Sequence, residues 1–307
     1  MTRFTIACYT TAVNETLLGI DLGGTKIAVA AVRDGIIVEK KIVSTPKDGW
    51  ASVCQQMIST GLEVIAAVGE VTGIGVGTPG PIDFATGVVK FAPNIPGFEN
   101  APIVATLSKG FGRKIEIEND ANAAGLAEHV YGAAQDASSS IFITVSSGVG
   151  GGIIIHDRVW RGAHGVAGEV GHIVSLPGGP IAGSGVSGAL EAFSSGTAIA
   201  KDCTYAYSRP VTTREAFELA QAGDARAVKI IDQAARYLGG AIADFQKVID
   251  PEVFVLGGGV CEVGDFFLDK VRAFAEDGAR GFAVPLILSA KLGTDAGVIG
   301  AALAGRV

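Results

Sequence analysis

Two glycine-rich loops in this chain carry side chains of the types that bind phosphate. The first follows a short apolar run and contains Asp21, Gly23, Gly24, Thr25 and Lys26. Glycines let backbone N–H groups approach phosphate oxygens, and a hydroxyl and a lysine add donors. An aspartate beside such a loop could hold Mg²⁺. The spacing of a Walker A loop is absent, and an ordinary β-turn explains the same residues as well.

The second loop spans residues 146–152 and includes Ser147, Gly148 and Gly150. It allows the same two explanations, but two loops of one type in one chain favour phosphate binding. A third run, made of Gly257, Gly258 and Gly259, follows an apolar segment and could let a base or ribose lie against the backbone. A tight strand-to-helix turn explains that run equally well.

A polar segment, Glu118-Asn119-Asp120-Ala121-Asn122, separates a predicted strand from a predicted helix. Asn and Asp are preferred helix N-caps, which is a sufficient structural explanation for them. The functional alternative is that Asp120 accepts the proton of an attacking hydroxyl while Asn119 hydrogen-bonds the same molecule. Ligands of α/β proteins bind at such carboxyl ends of strands.

A loop rich in glycine holds Glu169 and His172, and Glu191 follows nineteen residues after the histidine. Carboxylates and an imidazole suit sugar hydroxyls, because a hydroxyl both donates and accepts hydrogen bonds. The alternative is a surface loop with solvated charges.

The apolar pattern predicts the elements that must position these candidates. Strands are expected at 16–20, 27–32, 36–43, 73–77, 114–118, 140–146, 153–156, 253–256 and 286–289. Helices are expected at 51–68, 103–111, 120–131, 189–201, 213–222, 225–248, 266–277 and 296–304. Each glycine loop interrupts a pair of apolar strands that is followed by helix and strand, which predicts a duplicated α/β architecture with two lobes.

Composition excludes several classes of protein. The net charge of −7 and the lack of a basic cluster argue against nucleic-acid binding. Cys8, Cys54, Cys203 and Cys261 lie far apart, as expected for reduced thiols in the cytosol. No apolar run has the length of a membrane span, and residues 1–15 lack a signal layout, so they are expected to form an N-terminal arm.

Six segments, taken in order, resemble the ROK family of sugar kinases, within the actin-like and hexokinase-like ATPases. They span most of the chain from Leu17 onward and are more specific together than any one alone. The matching segments are 19–26 (GIDLGGTK), 75–83 (GVGTPGPID), 118–124 (ENDANAA), 145–152 (VSSGVGGG), 165–172 (GVAGEVGH) and 250–260 (DPEVFVLGGGV).

This resemblance implies a two-lobed fold of the actin/hexokinase type with a cleft between the lobes. We expect a small lobe of residues 16–118 and 295–307 and a large lobe of residues 119–294. It also implies a cytoplasmic enzyme, usually a homodimer, that uses ATP and Mg²⁺.

The resemblance further assigns roles to single residues. Asp120 is then the general base that acts on a primary hydroxyl, O6, of glucose or N-acetylmannosamine. Gly80, Asn119, Asp120, Glu169, His172 and Glu191 bind this hexose. The glycine loops hold the ATP phosphates, Asp21 assists Mg²⁺, and Gly257–Gly259 flank the nucleotide.

The chain departs from the family where many members bind a structural zinc through one histidine and three cysteines. Ala182, Ser184 and Ala189 stand where the cysteines would be. Without thiolates no tetrahedral site is expected, so we predict no zinc, and another interaction must orient His172. The family's repressors carry a DNA-binding segment before the kinase-like part, and none is expected here because the first loop begins at Gly19.

Three alternatives remain open. The chain could be a sugar sensor with the same fold and no catalysis, although Asp120 and both phosphate loops argue against that. It could act on fructose or mannose. A kinase of a small carboxylate or of glycerol is disfavoured, because Glu169 and Glu191 would repel a carboxylate.

Overall fold

The structure is a computed structural model that describes residues 15–92 and 94–306. Residues 1–14 of the expected N-terminal arm, with Cys8 among them, lie outside the described residues. The chain divides into two compact units. The first contains residues 15–135, 154–167 and 294–306, and the second contains residues 136–153 and 168–293. This division differs from the expected lobes at residues 119–135 and 154–167, and the lobe boundaries stay a prediction.

The chain alternates strands and helices. The strands are β1 (Thr16–Leu22), β2 (Lys26–Arg33), β3 (Ile36–Ser44), β4 (Gly73–Thr78), β5 (Ile82–Asp83), β6 (Val88–Phe91), β7 (Glu99–Ala101), β8 (Glu116–Asn119), β9 (Ser139–Val145), β10 (Val149–Ile155), β11 (Arg158–Val159), β12 (Val253–Gly257) and β13 (Ile287–Ser289). The helices are α1 (Trp50–Val68), α2 (Ile103–Phe111), α3 (Asp120–Val130), α4 (Glu191–Ser194), α5 (Gly196–Tyr207), α6 (Thr213–Gln221), α7 (Ala225–Val248), α8 (Asp265–Gly278) and α9 (Ala296–Ala304).

Two five-stranded sheets share one pattern of strand order. The first is β3-β2-β1-β4-β8, and the second is β11-β10-β9-β12-β13. In both, the first strand of a glycine-loop pair also pairs in parallel with a later strand, β1 with β4 and β9 with β12. The duplicated α/β architecture is therefore confirmed. The division of the chain passes through β10, whose last two residues and β11 are assigned to the first unit.

The hairpin of β2 and β3 turns at Asp34 and Gly35, both with positive φ (49° and 79°). This is the Asp-Gly hairpin turn that the sequence predicts. The edge strand β3 alternates exposed and half-buried side chains, whereas β1 and β4 are buried almost throughout. The core of the first unit therefore lies on the central strands.

Helix α9 packs unusually close to the first sheet and to α3. A Cβ added at Gly19 would lie 2.0 Å from the carbonyl oxygen of Val298, and one at Gly300 would lie 1.7 Å from that of Ala123. Only glycine permits this approach. The close packing fixes α3, and with it the segment that begins at Asp120.

Helix α1 has the length and mean hydropathy, 1.2, of a membrane span. Its apolar face, with Val53, Met57 and Val64, is fully buried in the core of the first unit. The packing of α1 in this core explains its apolar composition. Three of the four cysteines, Cys54, Cys203 and Cys261, are free thiols and buried.

Two expected elements differ from the structure. The predicted helix 189–201 is interrupted at Ser195, which is extended (φ −72°, ψ 156°) and caps α5 by accepting a hydrogen bond from the N–H of Ala198. The expected loop at residues 146–152 is shorter, because β10 begins at Val149 and includes Gly150–Gly152. The turn is closed instead by a 2.8 Å hydrogen bond from Ser146 N to Gly148 O.

Candidate functional site

In the first unit, strand register brings three candidate segments to one sheet edge. Asp21 of β1 pairs with Gly77 of β4, and Gly77 pairs with Glu118 of β8. Because these strands are parallel, their carboxyl ends meet, and Asp21 comes to lie near Asp120. Such an edge is the usual ligand site of α/β sheets.

The electrostatics of Asp21 reflect this neighbourhood. Burial, and secondly the charge of Asp120, raise the pKa of its carboxyl group to about 6, against the opposing effect of Lys26 and Lys40. Two neighbouring carboxylates that repel each other where water is largely excluded are suited to bind a divalent cation, because its positive charge stabilises both. The residues present therefore fit Mg²⁺ at Asp21.

The first glycine loop is shaped by residues that follow β3. Thr45 Oγ1 donates to the carbonyl of Gly23 at 2.7 Å, and Lys47 Nζ donates to that of Gly24 at 2.6 Å. Gly23 N donates to Lys26 O at 3.0 Å and closes the turn. The side chains of Thr25 and Lys26 are exposed. The carbonyl oxygens of Gly23, Gly24 and Lys26 thus all accept hydrogen bonds from within the protein.

Asn119 caps α3 and lies beside Gly80, in the loop that follows β4. Its Oδ1 accepts hydrogen bonds from Ala121 N (3.0 Å) and Asn122 N (3.2 Å). A Cβ added at Gly80 would lie 3.8 Å from its Nδ2. Asp120 is half-buried, and its Oδ1 accepts from Ala121 N at 2.8 Å. The N-cap role is therefore present, and it is compatible with a chemical role for Asp120.

In the second unit, the glycines of β10 pack against the segment that carries Glu169 and His172. A Cβ at Gly151 would lie 2.7 Å from Val170 Cγ2, and one at Gly171 would lie 2.0 Å from the carbonyl oxygen of Val149. This close approach explains why position 151, which lies within a strand, is a glycine.

Glu169 and His172 are both exposed and adjacent. His172 Nε2 lies 3.5 Å from Glu169 Oε2, across the short 3-10 helix Val170–His172. Glu191 is half-buried, and its Oε2 accepts a hydrogen bond from Val149 N at 3.1 Å. The second unit thus brings the second glycine loop and Glu191 together directly.

The segment that would hold zinc in the family is ordered by backbone hydrogen bonds. Gly188 O accepts from Ser175 N (2.8 Å) and Leu176 N (3.1 Å), and Gly188 N donates to Pro180 O (2.8 Å). Ser187 Oγ donates to Gly179 O at 2.8 Å. The side chains of Ala182, Ser184 and Ala189 offer no thiolate or imidazole, so the residues at these positions do not fit tetrahedral zinc. Among the described residues, no group of three or more His, Cys, Asp or Glu side chains could hold a metal ion.

A cavity of about 960 Å³ opens in the second unit beside the second and third glycine loops. Two predicted nucleotide residues, Ser147 and Gly259, line it, whereas Gly148, Gly150, Gly257 and Gly258 do not. The turn around it is tight: Gly258 has φ +87°, and a Cβ there would lie 2.4 Å from the carbonyl oxygen of Val145. This volume is sufficient for a nucleotide.

Most of the lining comes from helices that carry no motif. The further lining residues include Thr197 and Ala200 of α5, Arg214, Phe217, Glu218 and Gln221 of α6, and Val260 and Glu262. These residues were not predicted. Their spacing is that of amphipathic helices, and only the Thr212 cap of α6 is visible as a local signal.

Comparison with known proteins identifies the family of this chain. The ROK family model matches residues 17–305. A glucokinase of Thermotoga maritima is 33% identical over 304 residues, covering 93% of this chain and 96% of the relative. An N-acetylmannosamine kinase of Haemophilus influenzae is 32% identical over 285 residues, covering 93% of both. The crystal structure of a ROK hexokinase from Thermus thermophilus superposes with a TM-score of 0.90 at 44% identity, covering 94% of this chain and 97% of that one. The chain belongs to the ROK family, has the actin/hexokinase-like fold and is an ATP-dependent sugar kinase.

Proposed function

We propose that this kinase transfers the γ-phosphoryl group of ATP to the 6-hydroxyl of glucose or N-acetylmannosamine. The observation that carries the proposal is the register of β1, β4 and β8, which brings Asp21 and Asp120 to one sheet edge. The two substrates are those named for relatives of about one-third identity. Catalysis of phosphoryl transfer depends mainly on positioning and charge stabilisation. Two carboxylates held at one edge of a sheet are suited to both tasks.

Asp120 would act as the general base. Its carboxylate would accept the proton of the sugar's primary hydroxyl as the oxygen attacks the γ-phosphorus and ADP leaves with the bridging oxygen, and Asn119 would hydrogen-bond the sugar. The N–H groups of Gly24 and Thr25 would face phosphate oxygens, since the N–H of Gly23 is bonded to Lys26 O, and Asp21 would hold Mg²⁺. When bound, Mg²⁺ supplies positive charge that stabilises the phosphate oxygens.

The second unit carries further residues of the proposed function. Glu169, His172 and Glu191 would hydrogen-bond sugar hydroxyls, and Gly80, in the first unit, is a further proposed sugar-binding residue. Ser147 and Gly148, in the turn, and Gly150, in the strand β10 that follows it, would contact the ATP phosphates. The purine would occupy the 960 Å³ cavity beside Gly259, where Phe217 and Val260 supply apolar surface.

The segment around Gly188 would order His172 without zinc. The homodimer and the cytoplasmic location that the family resemblance implies stay predictions, and both belong to this proposal.

The test is ADP formation with glucose, N-acetylmannosamine, mannose, fructose or no sugar. We expect turnover that depends on sugar and is fastest with glucose or N-acetylmannosamine. Asp120→Asn should lower kcat by about 10²- to 10⁴-fold, the usual contribution of a general base, while sugar still binds. Asp34→Asn, on the exposed β2–β3 turn, is the matched control and should leave kcat unchanged.

Each result decides between the alternatives. Near-normal turnover by Asp120→Asn would rule out the proposed base. Sugar binding without ADP formation by the wild type would favour a sensor, and preferred turnover of fructose or mannose would replace the proposed substrates.

A further inference from the structure

Glu118, two residues before the proposed base, is a charged side chain buried in the first unit. Only 1% of its surface is exposed. Its Oε1 accepts hydrogen bonds from Asn119 N and from Asn122 Nδ2, both at 3.0 Å. A buried carboxylate is tolerated only with such donors and a compensating charge. Glu118 therefore holds the backbone of Asn119 and the first turn of α3 in place.

The compensating charge is Arg161. Its Nε donates to Glu118 Oε2 at 2.9 Å, and its second terminal nitrogen lies 2.7 Å from the same oxygen. The guanidinium also stacks 4.6 Å above the ring of Phe84. Two donors on one oxygen and a ring beneath them fix the direction of this side chain.

The backbone of Arg161 closes the turn that leads to the sugar-binding segment. Arg161 O accepts a hydrogen bond from Ala167 N at 3.1 Å. Gly165, with φ +73°, packs so close to Phe84 that a Cβ would lie 2.9 Å from the ring. Arg161 thus ties the turn of residues 161–167 to the strand end that carries Asn119 and Asp120.

We propose that Arg161 is a positioning residue for phosphoryl transfer that acts through Glu118. Its guanidinium neutralises Glu118 and holds it in the orientation that receives Asn119 N and Asn122 Nδ2. The placement of Asn119 and Asp120 then depends on a residue that lies 43 positions after Glu118 in the chain. This inference rests on the proposed function, because it concerns the same base.

The first test is the kinetics of Arg161→Met with the best sugar. We expect kcat to fall by on the order of 10²-fold, the effect of misplacing a reacting group, while the KM for ATP changes by less than about threefold. Arg161→Lys should regain part of kcat, because an ammonium group restores the charge without the planar fork. Arg158→Met, an exposed arginine on β11, is the matched control.

The second test is a double-mutant cycle of Arg161→Met and Glu118→Gln. If Arg161 acts through Glu118, the double variant should be no slower than Arg161→Met alone, because no buried charge is left uncompensated. Thermal unfolding of all four proteins establishes that each is folded at the assay temperature.

Three outcomes would overturn the inference. These are wild-type kcat in Arg161→Met, no difference between lysine and methionine, or effects of the two substitutions that multiply. A wild type that phosphorylates no hexose would refute the proposed function instead, so the two failures are distinguishable.

Discussion

Glu191 and Val149 are joined by a 3.1 Å hydrogen bond from the backbone N–H of Val149 to Glu191 Oε2. The same oxygen lies so near the second glycine loop that a Cβ at Gly148 would approach it to 2.4 Å. A carboxylate expected to bind sugar therefore also orders a loop expected to bind phosphate. If both expectations hold, this one side chain in the second unit links sugar binding to phosphate binding.

The first prediction separates these two roles of Glu191. Glu191→Ala should raise the KM for sugar and for ATP about tenfold each, since a hydrogen bond to a charged group contributes about 1.5–3 kcal/mol. Glu191→Gln keeps an acceptor for Val149 N, so only the KM for sugar should rise. Steady-state kinetics with both substrates varied would measure this, with exposed Glu276→Gln as control. Equal KM changes in both Glu191 variants would contradict the link.

The second prediction concerns the nucleotide cavity. A Cβ at Gly259 meets nothing within 4 Å, so a larger side chain there would project into open space. Gly259→Phe should raise the KM for ATP by about tenfold or more, because lost complementarity of 1.4 kcal/mol has that effect, while the KM for sugar stays unchanged. Gly240→Phe on α7 is equally open and lies outside the cavity lining. An unchanged KM for ATP would show that the purine of ATP binds outside this cavity.

The third prediction concerns the segment that replaces the zinc site. Gly188 has φ +73°, and a Cβ there would lie 1.8 Å from the carbonyl oxygen of Leu176. Gly185 also has a positive φ, +84°, but a Cβ there meets nothing within 4 Å. Gly185→Ala should cost about 1 kcal/mol of unfolding free energy, the cost of the backbone conformation alone.

Gly188→Ala should cost more than that, since the close contact with Leu176 is added to the same backbone strain. It should also raise the KM for sugar, because the segment leads to Glu191. Urea unfolding and sugar kinetics of both variants measure the difference. Equal unfolding free energies would show that the close contact relaxes without cost.

The fourth prediction is that the enzyme keeps its activity without zinc. Elemental analysis of the purified protein should find far less than one zinc atom per chain. A zinc-selective chelator, added with Mg²⁺ in excess, should change neither kcat nor the thermal midpoint, because Ala182, Ser184 and Ala189 supply no thiolate. Loss of activity that zinc restores would require ligands other than Ala182, Ser184 and Ala189.

The fifth prediction is a pH dependence of stability at the start of α7. The Tyr207 hydroxyl donates to Asp224 at 2.6 Å, and this bond, with the N–H groups of Ala227 and Arg226, lowers the pKa of Asp224 to about 2. A lowered pKa means that the carboxylate stabilises the fold above its unfolded pKa near 3.8, and that this stabilisation is lost as the pH falls toward 2.

The thermal midpoint of the wild type should therefore exceed that of Asp224→Asn at pH 5–7, and the gap should be smaller at pH 3. Asp244→Asn, exposed on the same helix, should show no comparable gap. A gap that is constant or grows on acidification would contradict the assignment.

The local signals in the chain predicted much of the fold because they depend on neighbouring residues. The Asp34-Gly35 turn follows from the positive φ that both residues tolerate, and the cap at Asn119 follows from its short polar side chain. The prediction of one helix at 189–201 was wrong. The chain is extended at Ser195, which caps α5, and the small residues around it give no local signal of this break. Whether a serine caps a helix depends on where the chain turns.

By itself the sequence determined the family, the ATP-dependent kinase activity and the candidates Asp120, Glu169, His172 and Glu191. Each motif is a short run of neighbouring residues, and six motifs in a fixed order are together specific for the family. Only the tertiary structure decided that Arg161 pairs with Glu118, that Glu191 holds Val149, and that α5 and α6 line the cavity beside Gly259. These contacts join residues far apart in the chain, and no spacing or periodicity records them. They arise because strand register and close glycine packing bring distant backbones together.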